Sequence, residues 1–479
     1  MNPSIAPSPS ARTGAPPIAA GELPVTIGAR IDRLPGTRYL WTLVLLLSLG
    51  GFFEIYDLIF MGYIAPGMGR SGILATTTAT FFAFKGFGAF VAATFAGLFV
   101  GTFGLGFLAD RFGRRKVFTY SLLWYSVCSA IMAFQNSAEG LILWRFVTGI
   151  GIGIEIITID TYITELVPQQ MRGRAIGFNQ SVMFVAAPVA AILSYWLIPL
   201  APYGLDGWRW VVLAGSAGAL AVWFIRRPVP ESPRWLAQTG RNAEAEQVVR
   251  NIETRVSAQH GMALPPPASP VAPARPATVS FRQVWLPPYR SRLIMLIVFN
   301  FFQAIGYYGF ANWVPTLLIG QGITVTRSLL YSSIIAIALP LGPLLAMTFA
   351  DKVQRKWTIV VPALAVIVFG LLFSRMTHAL PLIVFGVLIS LAGQLISVGY
   401  HTYQAELFPT GVRARAGGLV YSASRIGAML SGFLIAYLLR NTGVGGVFLG
   451  IIGCMLVIVL SIGVFGPKTT GMSLSDISH

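Results

Sequence analysis

Long apolar stretches, separated by short polar breaks, dominate the chain from residue 39 to residue 465. Each stretch has roughly the twenty residues that a helix needs to cross the hydrocarbon core of a bilayer. The pattern predicts twelve membrane helices in two groups of six. These are 39–64, 88–108, 117–135, 139–166, 175–199 and 208–226, then 293–319, 328–349, 358–376, 380–406, 415–439 and 443–465. Residues 70–90 are also apolar, and they either lengthen the second helix or form an external helix.

Three polar segments surround and divide the two groups of helices. Residues 1–38 are rich in Pro, Ala, Ser and Gly and lack the apolar core of a signal peptide, which predicts a disordered cytoplasmic tail. Residues 227–292 form a cytoplasmic linker with one or two surface helices, and residues 466–479 form a cytoplasmic C-terminal tail. We therefore expect an N-terminal six-helix bundle at 39–226 and a C-terminal six-helix bundle at 293–465.

Charge is scarce, and its sign is biased. Charged residues are 11% of the chain, against roughly a quarter in a soluble domain, which excludes a soluble protein. The 34 Lys and Arg against 17 Asp and Glu cluster in alternate polar breaks, so those loops and both termini are predicted to face the cytoplasm of a cell membrane. This distribution argues against nucleic-acid binding. Cys128 and Cys454 lie in apolar runs without metal-ligand spacing, so neither a metal site nor a disulfide is expected.

Two motifs recur at the same distance along the chain. Ala109-Asp110 with Arg114-Arg115 returns as Ala350-Asp351 with Arg355-Lys356, and Tyr162-x-x-Glu165-Leu166-x-Pro168 returns as Tyr403-x-x-Glu406-Leu407-x-Pro409. Both repeats are separated by 241 positions (351 − 110 and 406 − 165). The repetition predicts two related six-helix halves with a central site between them.

Several of these segments resemble the major facilitator superfamily, from Leu40 to about Ser475. Residues 106–116 (GFLADRFGRRK) resemble its loop between helices 2 and 3, and residues 145–153 (RFVTGIGIG) resemble its helix 4 motif. Residues 230–236 (PESPRWL) and 406–413 (ELFPTGVR) resemble the sugar-porter and organic-ion branches. Glu54-x-x-Asp57 and residues 159–162 (IDTY) resemble bacterial metabolite and aromatic-acid proton symporters. The resemblance implies an all-α membrane protein with two pseudo-symmetric bundles that transports by alternating access.

The repeated charges are the candidate gating residues. In the superfamily such charges hold one conformation of the transport cycle together at the cytoplasmic ends of the helices. We expect Glu165 to pair with Arg172 or Arg174, and Glu406 with Arg413 or Arg415. The alternative is that the basic loops only mark membrane topology. The gating set is Asp110, Arg111, Arg114, Glu165, Arg172, Asp351, Arg355, Glu406 and Arg413.

Charged residues within the N-terminal helices are the candidate coupling residues. Arg145 is costly inside a membrane unless it is paired, and Asp57 is the partner that we predict, because the resemblance implies an aspartate–arginine proton switch. Glu54 lies on the same face of the helix as Asp57 and is expected to share the proton or to contact solute. Asp160 is a further acid that faces the cavity or helix 1. A solvated pair at the cavity mouth is the alternative for Glu54 and Asp57, and a structural hydrogen bond is the alternative for Asp160.

Polar and aromatic residues of other helices are the candidate substrate contacts. Arg425 stands in the middle of helix 11 and suits a carboxylate, since a guanidinium binds one through paired hydrogen bonds. The alternative is an internal salt bridge. His401 replaces the tryptophan that hexose porters usually carry, which argues against an ordinary sugar. The substrate-binding set is Arg425, Gln180, Gln303, Tyr307, Asn312, His401 and Tyr403.

The resulting hypothesis is proton-coupled symport of a small organic anion such as an aromatic or sugar acid. No phosphate-binding Gly-x-x-x-x-Gly-Lys-Ser/Thr loop is present, so ATP is not expected to drive transport, and no enzyme activity or cofactor is expected. The expected partners are the solute, protons and the bilayer, with a monomeric protein. Transport of a sugar, polyol or organic cation, drug efflux, and a non-transporting membrane receptor are the alternatives.

Overall fold

The fold is described from a computed structural model that covers residues 23–105, 107–225, 227–267, 285–287, 289–349, 353–408 and 410–467. Helices make up almost all of this part of the chain. The described residues contain no β-strand, and a single isolated bridge joins Ala75 to Gly86.

The described helices form twelve membrane spans, which are numbered here in chain order. Spans 1 to 6 are Arg38–Arg70, Phe87–Gly104, Arg114–Ala133, Ala138–Leu166, Gln169–Leu200 and Gly207–Ile225. Span 7 is Tyr289–Ala311 continued by Val314–Gly320, span 8 is Val325–Ala336 continued by Ala338–Phe349, span 9 is Trp357–Arg375 and span 10 is Ala379–Glu406. Spans 11 and 12 are residues 410–442 and 444–465 of the helix Thr410–Phe465.

Nine of the described helices are long and apolar enough to cross a membrane by themselves. The last of these contains two spans, because Gly443 has φ 70° and ψ −169° and breaks the helix there. Spans 3 and 6 are not among the nine, but both pack against span 1. The Ser129 hydroxyl of span 3 donates to Asp57, and the Tyr56 hydroxyl donates to the Val211 carbonyl of span 6 at 2.8 Å. The predicted all-α fold of twelve spans is therefore confirmed.

Two segments differ from the sequence-based prediction. The prediction of a disordered tail over residues 1–38 is wrong at Leu23–Asp32, which is a helix. Residues 1–22 lie outside the described residues. The helix packs Ile27 and Ile31 against the linker. Residue composition alone does not reveal this apolar contact. Residues 71–86 form an irregular connection rather than a longer second span or an external helix. The described part of the linker contains the helices Pro233–Gln238 and Asn242–His260.

The loops that follow the even-numbered spans lie on one side of the bundle. We call this side the basic side. There the loops after spans 2 and 6 meet, since the indole nitrogen of Trp235 donates to the Asp110 carbonyl at 2.7 Å. Gly113 lies in the first of these loops at φ 98°, and a Cβ there would lie 2.4 Å from Oε2 of Glu231. Glycine therefore fits both the turn and the close approach of the linker.

The two halves meet closely at the other end of the bundle, which we call the sealed side. A Cβ on Gly62 would lie 2.5 Å from the Asn312 carbonyl oxygen, and a Cβ on Gly88 would lie 2.7 Å from the Gly432 carbonyl oxygen. The Phe87 and Trp313 rings also pack edge to face across this contact, with centroids 5.0 Å apart. Small residues at these positions allow the backbones of the two halves to touch.

Candidate functional site

A cavity of about 480 Å³ lies between the two halves. Spans 1, 2, 4 and 5 of the first half and spans 7, 10 and 11 of the second half contribute to its wall. Its charged and strongly polar lining residues are Asp160, Gln180, Gln303, His401, Gln404 and Arg425. The cavity extends to Thr102, Gln404 and Gly417, near the basic-side ends of their spans, and the opposite end is the sealed side. The site is thus open toward the basic side.

Arg425 is the buried cation of the cavity wall, with 2% of its surface exposed. Its Nη2 donates to the Tyr421 hydroxyl at 2.9 Å, and its guanidinium carbon lies 4.5 Å from the centre of the Tyr421 ring. The buried Nε has no hydrogen-bond partner in the part of the chain that the structure describes. Among the described residues no carboxylate lies within 4 Å of this guanidinium, so the predicted alternative of an internal salt bridge does not occur there. Arg425 keeps donors available for an anion.

Two candidate acids differ in their surroundings. Asp160 lines the cavity and accepts a hydrogen bond from Asn179 Nδ2 at 3.1 Å. Glu54 has no exposed surface, and within the described ranges neither of its buried carboxylate oxygens has a hydrogen-bond partner. The charge of Glu54 interacts with those of Glu155, Asp160 and Arg425. The solvated alternative for Glu54 is therefore wrong, because its side chain is fully buried and is not part of the described cavity lining.

Aromatic side chains surround the cation. His401 stacks on Tyr400 with ring centroids 4.1 Å apart, and its Nδ1 lies 2.7 Å from the Ser397 carbonyl oxygen. Tyr307 and Tyr308 line the same cavity, and the buried Tyr307 hydroxyl has no hydrogen-bond partner among the residues described. Flat apolar faces with hydrogen-bonding tips suit a ring-bearing solute.

Asp57 and Arg145 form the buried ion pair that the sequence predicted. Arg145 Nη1 lies 2.6 Å from Asp57 Oδ2, and Nη2 lies 2.5 Å from the Asp57 carbonyl oxygen. Thr94 accepts from Nε at 2.9 Å, and the Ser129 hydroxyl donates to the other carboxylate oxygen at 2.7 Å. Phe60 and Phe90 place their rings 5.0 and 5.4 Å from the guanidinium carbon. The pair joins spans 1 to 4 within one half, so the alternative of a solvated Asp57 is wrong.

Two predicted substrate contacts lie away from the cavity. Asn312 belongs to the sealed side, at the break of span 7, where its backbone packs against Gly62. Tyr403 is buried, and its hydroxyl donates to the Pro467 carbonyl at 2.8 Å. Its counterpart in the first half, Tyr162, likewise donates to the Pro230 carbonyl. Tyr403 is therefore an anchor for the chain that leaves span 12, and its predicted role is corrected to a structural one. Asn312 lies at the sealed side rather than in the cavity lining, which corrects its predicted place.

The gating charges form matching ion pairs in the two halves. Arg114 Nη2 lies 3.2 Å from Glu165 Oε1, and Arg355 Nε lies 3.2 Å from Glu406 Oε1. The predicted pairing of Glu165 with Arg172 or Arg174 is therefore wrong. The predicted partners of Glu406, Arg413 and Arg415, have side chains outside the described residues, so that pairing stays a prediction. Arg114 also pairs with Asp110 at 2.6 Å.

The remaining gating predictions separate into three outcomes. Arg172 pairs with Asp32, at 2.8 Å, instead of Glu165, because the N-terminal helix reaches this loop. Arg111 is exposed, with its guanidinium carbon 5.5 Å from the Phe112 ring centre. Asp351 and the Arg413 side chain lie outside the described residues.

Sequence reasoning missed three contributors to these networks. Thr94 and Ser129 complete the hydrogen bonds of Asp57 and Arg145, but hydroxyls in apolar helices are common and carry no specific signal. Tyr421 lies four residues before Arg425, a spacing that places both side chains on one helix face and could have identified the contact. The described residues contain no group of His, Cys, Asp and Glu side chains with the geometry of a metal site.

Two helical halves around a central polar cavity are the architecture of a membrane transporter. Residues 43–479 match the family described as "Sugar (and other) transporter". A putative metabolite transport protein, YyaJ of Bacillus subtilis, is 31% identical over 93% of this chain and 96% of its own length. The niacin transporter NiaP of Acinetobacter baylyi is 29% identical over 94% and 99%. The chain belongs to this sugar and metabolite transporter family of the major facilitator superfamily, and it is a multi-pass membrane protein rather than an enzyme.

Solved structures share the fold. The xylose transporter XylE of Escherichia coli, in a partially occluded inward open conformation, has a TM-score of 0.71 and 20% identity, with 91% of this chain and 100% of that chain covered. A crystal structure of a D-xylose-proton symporter has a TM-score of 0.67 and 20% identity, with the same coverage. At this level of identity the likeness concerns the fold alone.

Proposed function

We propose that the protein carries a small organic anion, such as an aromatic or sugar acid, by proton-coupled symport with alternating access. The buried Arg425 carries this proposal, because it combines a fixed positive charge, an unused Nε donor and an aromatic surround in one cavity. A guanidinium in such a site offers paired hydrogen bonds to a carboxylate. The relative NiaP is named a niacin transporter, and niacin is an aromatic carboxylic acid.

Counterflow in proteoliposomes tests the anion assignment. Nicotinate and benzoate are the probes, and nicotinamide and benzamide are their uncharged controls. We expect the acids to exchange and the amides to fail. Arg425→Gln should abolish exchange, whereas Arg425→Lys should keep part of it, because lysine retains the charge but loses the planar fork. Arg440→Gln is the control for charge alone, since Arg440 is exposed. Equal exchange by wild type and Arg425→Gln would refute the assignment.

The Asp57–Arg145 pair is the proposed proton switch. Protonation of Asp57 would weaken its ion pair and free span 4 to move relative to span 1, which supplies the coupling. Asp57→Asn should abolish accumulation against a gradient while exchange without a gradient continues. Glu139→Gln is the matched control, because Glu139 is an exposed acid on the sealed side. Accumulation by Asp57→Asn at the wild-type level would rule out this switch.

The orientation and location belong to the same proposal. We infer that the basic side faces the cytoplasm of the cell membrane, because alternate loops rich in Lys and Arg remain inside. Both termini then lie in the cytoplasm, the cavity described here is the inward-open state, and the transporter acts as a monomer. Cysteine labelling at the exposed Arg174 position from each side of the membrane tests the orientation.

A cationic solute is the second candidate, and the acids Glu54 and Asp160 favour it. Both buried carboxylate oxygens of Glu54 lack a hydrogen-bond partner among the described residues, and Asp160 lines the cavity. The same counterflow assay separates the candidates with tetraethylammonium as a probe. Exchange of the cation that is lost in Glu54→Gln and retained in Arg425→Gln would replace the anion proposal.

A further inference from the structure

A second cavity, of about 530 Å³, lies on the basic side between span 3, the end of span 6 and the linker helices. It is separate from the central cavity and shares no lining residue with it. We call it the basic pocket. Its charged lining residues are Arg115, Lys116, Arg227, Arg241, Glu231 and Glu244. Four cations against two acids leave a net positive charge.

The two acids of the basic pocket are already engaged. Glu231 accepts from the backbone N–H groups of Arg115 at 3.0 Å and of Ser232 at 2.9 Å. Glu244 pairs with Arg241 at 2.6 Å. Among the described residues, Lys116 and Arg227 have no carboxylate partner. The basic pocket therefore holds two cations that are available to an anion.

The surroundings of Arg227 are those of a membrane interface. Its guanidinium carbon lies 4.7 Å from the Trp223 ring centre and 4.8 Å from the Phe224 ring centre. Trp223 and Tyr120 both line the basic pocket, and such amphipathic rings lie at the level of lipid headgroups. These rings beside Arg227 suit contact with a lipid headgroup.

Apolar grooves continue from the basic pocket along span 3. Lys116 and Tyr120 also line a groove with Phe112 and Trp124. Tyr120 and Trp124 then line a further groove of about 680 Å³ between spans 3 and 4, which has no charged lining residue and reaches Ile131. The exposed apolar side chains there include Leu143, at 59% exposure. We call these two together the span 3 groove.

We propose that this surface binds an anionic phospholipid, with its phosphate in the basic pocket and an acyl chain in the span 3 groove. Basic pockets between membrane helices on the cytoplasmic side suit acidic lipid headgroups, and arginine suits phosphate oxygens. A free phosphate compound would use the basic pocket alone, whereas the adjoining apolar groove matches an acyl chain. The linker and span 3 would then be joined through one lipid.

Native mass spectrometry of the full chain in detergent tests this site. The probes are phosphatidylglycerol, phosphatidylcholine and glycerol 3-phosphate. We expect phosphatidylglycerol to bind more tightly than either of the others. The double variant Lys116→Gln/Arg227→Gln should weaken its binding about 25-fold, because each surface cation contributes roughly a factor of five. Val127→Trp, which narrows the groove, should weaken the lipid but not the binding of glycerol 3-phosphate.

A matched double variant controls for net charge. Arg174→Gln/Arg250→Gln removes two exposed basic-side cations outside the pocket, and it should bind phosphatidylglycerol like the wild type. Thermal unfolding of each variant without lipid verifies that it folds. Equal lipid binding by Lys116→Gln/Arg227→Gln and the control would overturn the site. Glycerol 3-phosphate binding as tightly as phosphatidylglycerol would overturn the lipid in favour of a soluble phosphate.

Discussion

Arg145 and Arg425 are both buried arginines, yet they are built for different tasks. All of the guanidinium nitrogens of Arg145 contact an acceptor in spans 1 and 2. Among the described residues, Arg425 has only hydroxyl and aromatic partners, and its Nε has no acceptor. A saturated arginine holds helices together, whereas an unsaturated one is poised for a ligand whose binding offsets the cost of its burial.

Removing one member of the Asp57–Arg145 pair should cost more stability than removing both. Arg145→Gln leaves the Asp57 carboxylate buried without its cation, at a cost of about 3–5 kcal/mol. Asp57→Asn/Arg145→Gln leaves two neutral amides, so its loss should be smaller. Thermal unfolding in detergent measures both. A double variant that is less stable than Arg145→Gln would contradict the buried pair.

At this scale the sequence was informative for charged residues that lie within apolar spans. Asp57 and Arg145 could be paired because a charge within an apolar span needs a partner. Asn312 and Tyr403 could not be placed, because a polar aromatic or amide side chain is tolerated both in a cavity and at a packed helix end. The partner atoms that distinguish these roles are the Gly62 backbone and the Pro467 carbonyl, both distant in sequence.

Spans 2 and 4 cross at glycines that allow backbone contact. A Cβ on Gly149 would lie 2.4 Å from the Thr94 carbonyl oxygen, and a Cβ on Gly97 would lie 2.2 Å from the Phe146 carbonyl oxygen. These glycines thus let the backbones of the two spans pack closely. This crossing also brings Thr94 next to Arg145, so the glycines position the coupling pair.

Gly149→Ala should therefore destabilise the protein, because the backbone of span 2 must move away. Overpacking of this kind costs about 1–3 kcal/mol. Gly453→Ala is the matched control in span 12, where a Cβ meets nothing within 4 Å. Melting temperatures in detergent compare the two. Equal melting temperatures for both variants would show that the crossing relaxes without cost.

The helix Leu23–Asp32 is held on the linker by ion pairs. Arg30 lies 2.6 Å from both Glu246 and Glu253, and Arg33 lies 2.6 Å from Glu253. Burial would raise the pKa of Glu253, but hydrogen bonds from Arg30 and Arg33 outweigh it and hold the pKa below its usual value. A lowered carboxyl pKa stabilises the contact above the unfolded pKa of about 4.3, and this contribution is lost as the pH falls through the folded pKa.

Glu253→Gln should loosen this helix at neutral pH. Amides of Leu23–Asp32 should exchange about fivefold faster, since a partly exposed ion pair contributes about 1 kcal/mol. Hydrogen exchange by mass spectrometry, corrected for intrinsic rates, measures this at pH 7 and in acid. The difference from wild type should disappear in acid. Glu244→Gln is the control, because Glu244 pairs only with Arg241 among the described residues. Equal protection at pH 7 would contradict the contact.

Element positions followed from the sequence because membrane thickness fixes the length of an apolar run. The spans all occur near their predicted places, including spans 11 and 12, which are divided at Gly443. The N-terminal helix could not be predicted in the same way. Its few apolar residues gain their burial only from the linker, and no local pattern records that contact.

At the scale of the whole molecule, the 241-residue repeat also relates the ion pairs of the two halves. Adding that offset to Arg114 and Glu165 gives Arg355 and Glu406, and the structure forms both pairs at 3.2 Å. Tyr162 and Tyr403 follow the same relation. The repeat shows which residues are equivalent, but not which of them touch, because nearby loop arginines compete for the same glutamate. Partner choice depends on helix packing.

The two halves touch on the sealed side through glycines. A bulky residue there should therefore make the cavity open toward the sealed side instead of the basic side. Gly432→Trp would collide with the Gly88 backbone, where a Cβ already lies 2.5 Å from the carbonyl oxygen. Overpacking of about 1–3 kcal/mol shifts a two-state equilibrium about 5- to 150-fold. The sealed side should then open while the basic side closes.

Labelling of a cavity cysteine measures this shift. Ser397→Cys lines the central cavity and is introduced with Cys128→Ser and Cys454→Ser. In vesicles that expose the sealed side, an impermeant maleimide should label Gly432→Trp at least about fivefold faster than the parent. Gly453→Trp is the control, because its site is open space. Unchanged labelling with a folded Gly432→Trp protein would mean that the glycine contact does not hold the sealed side closed.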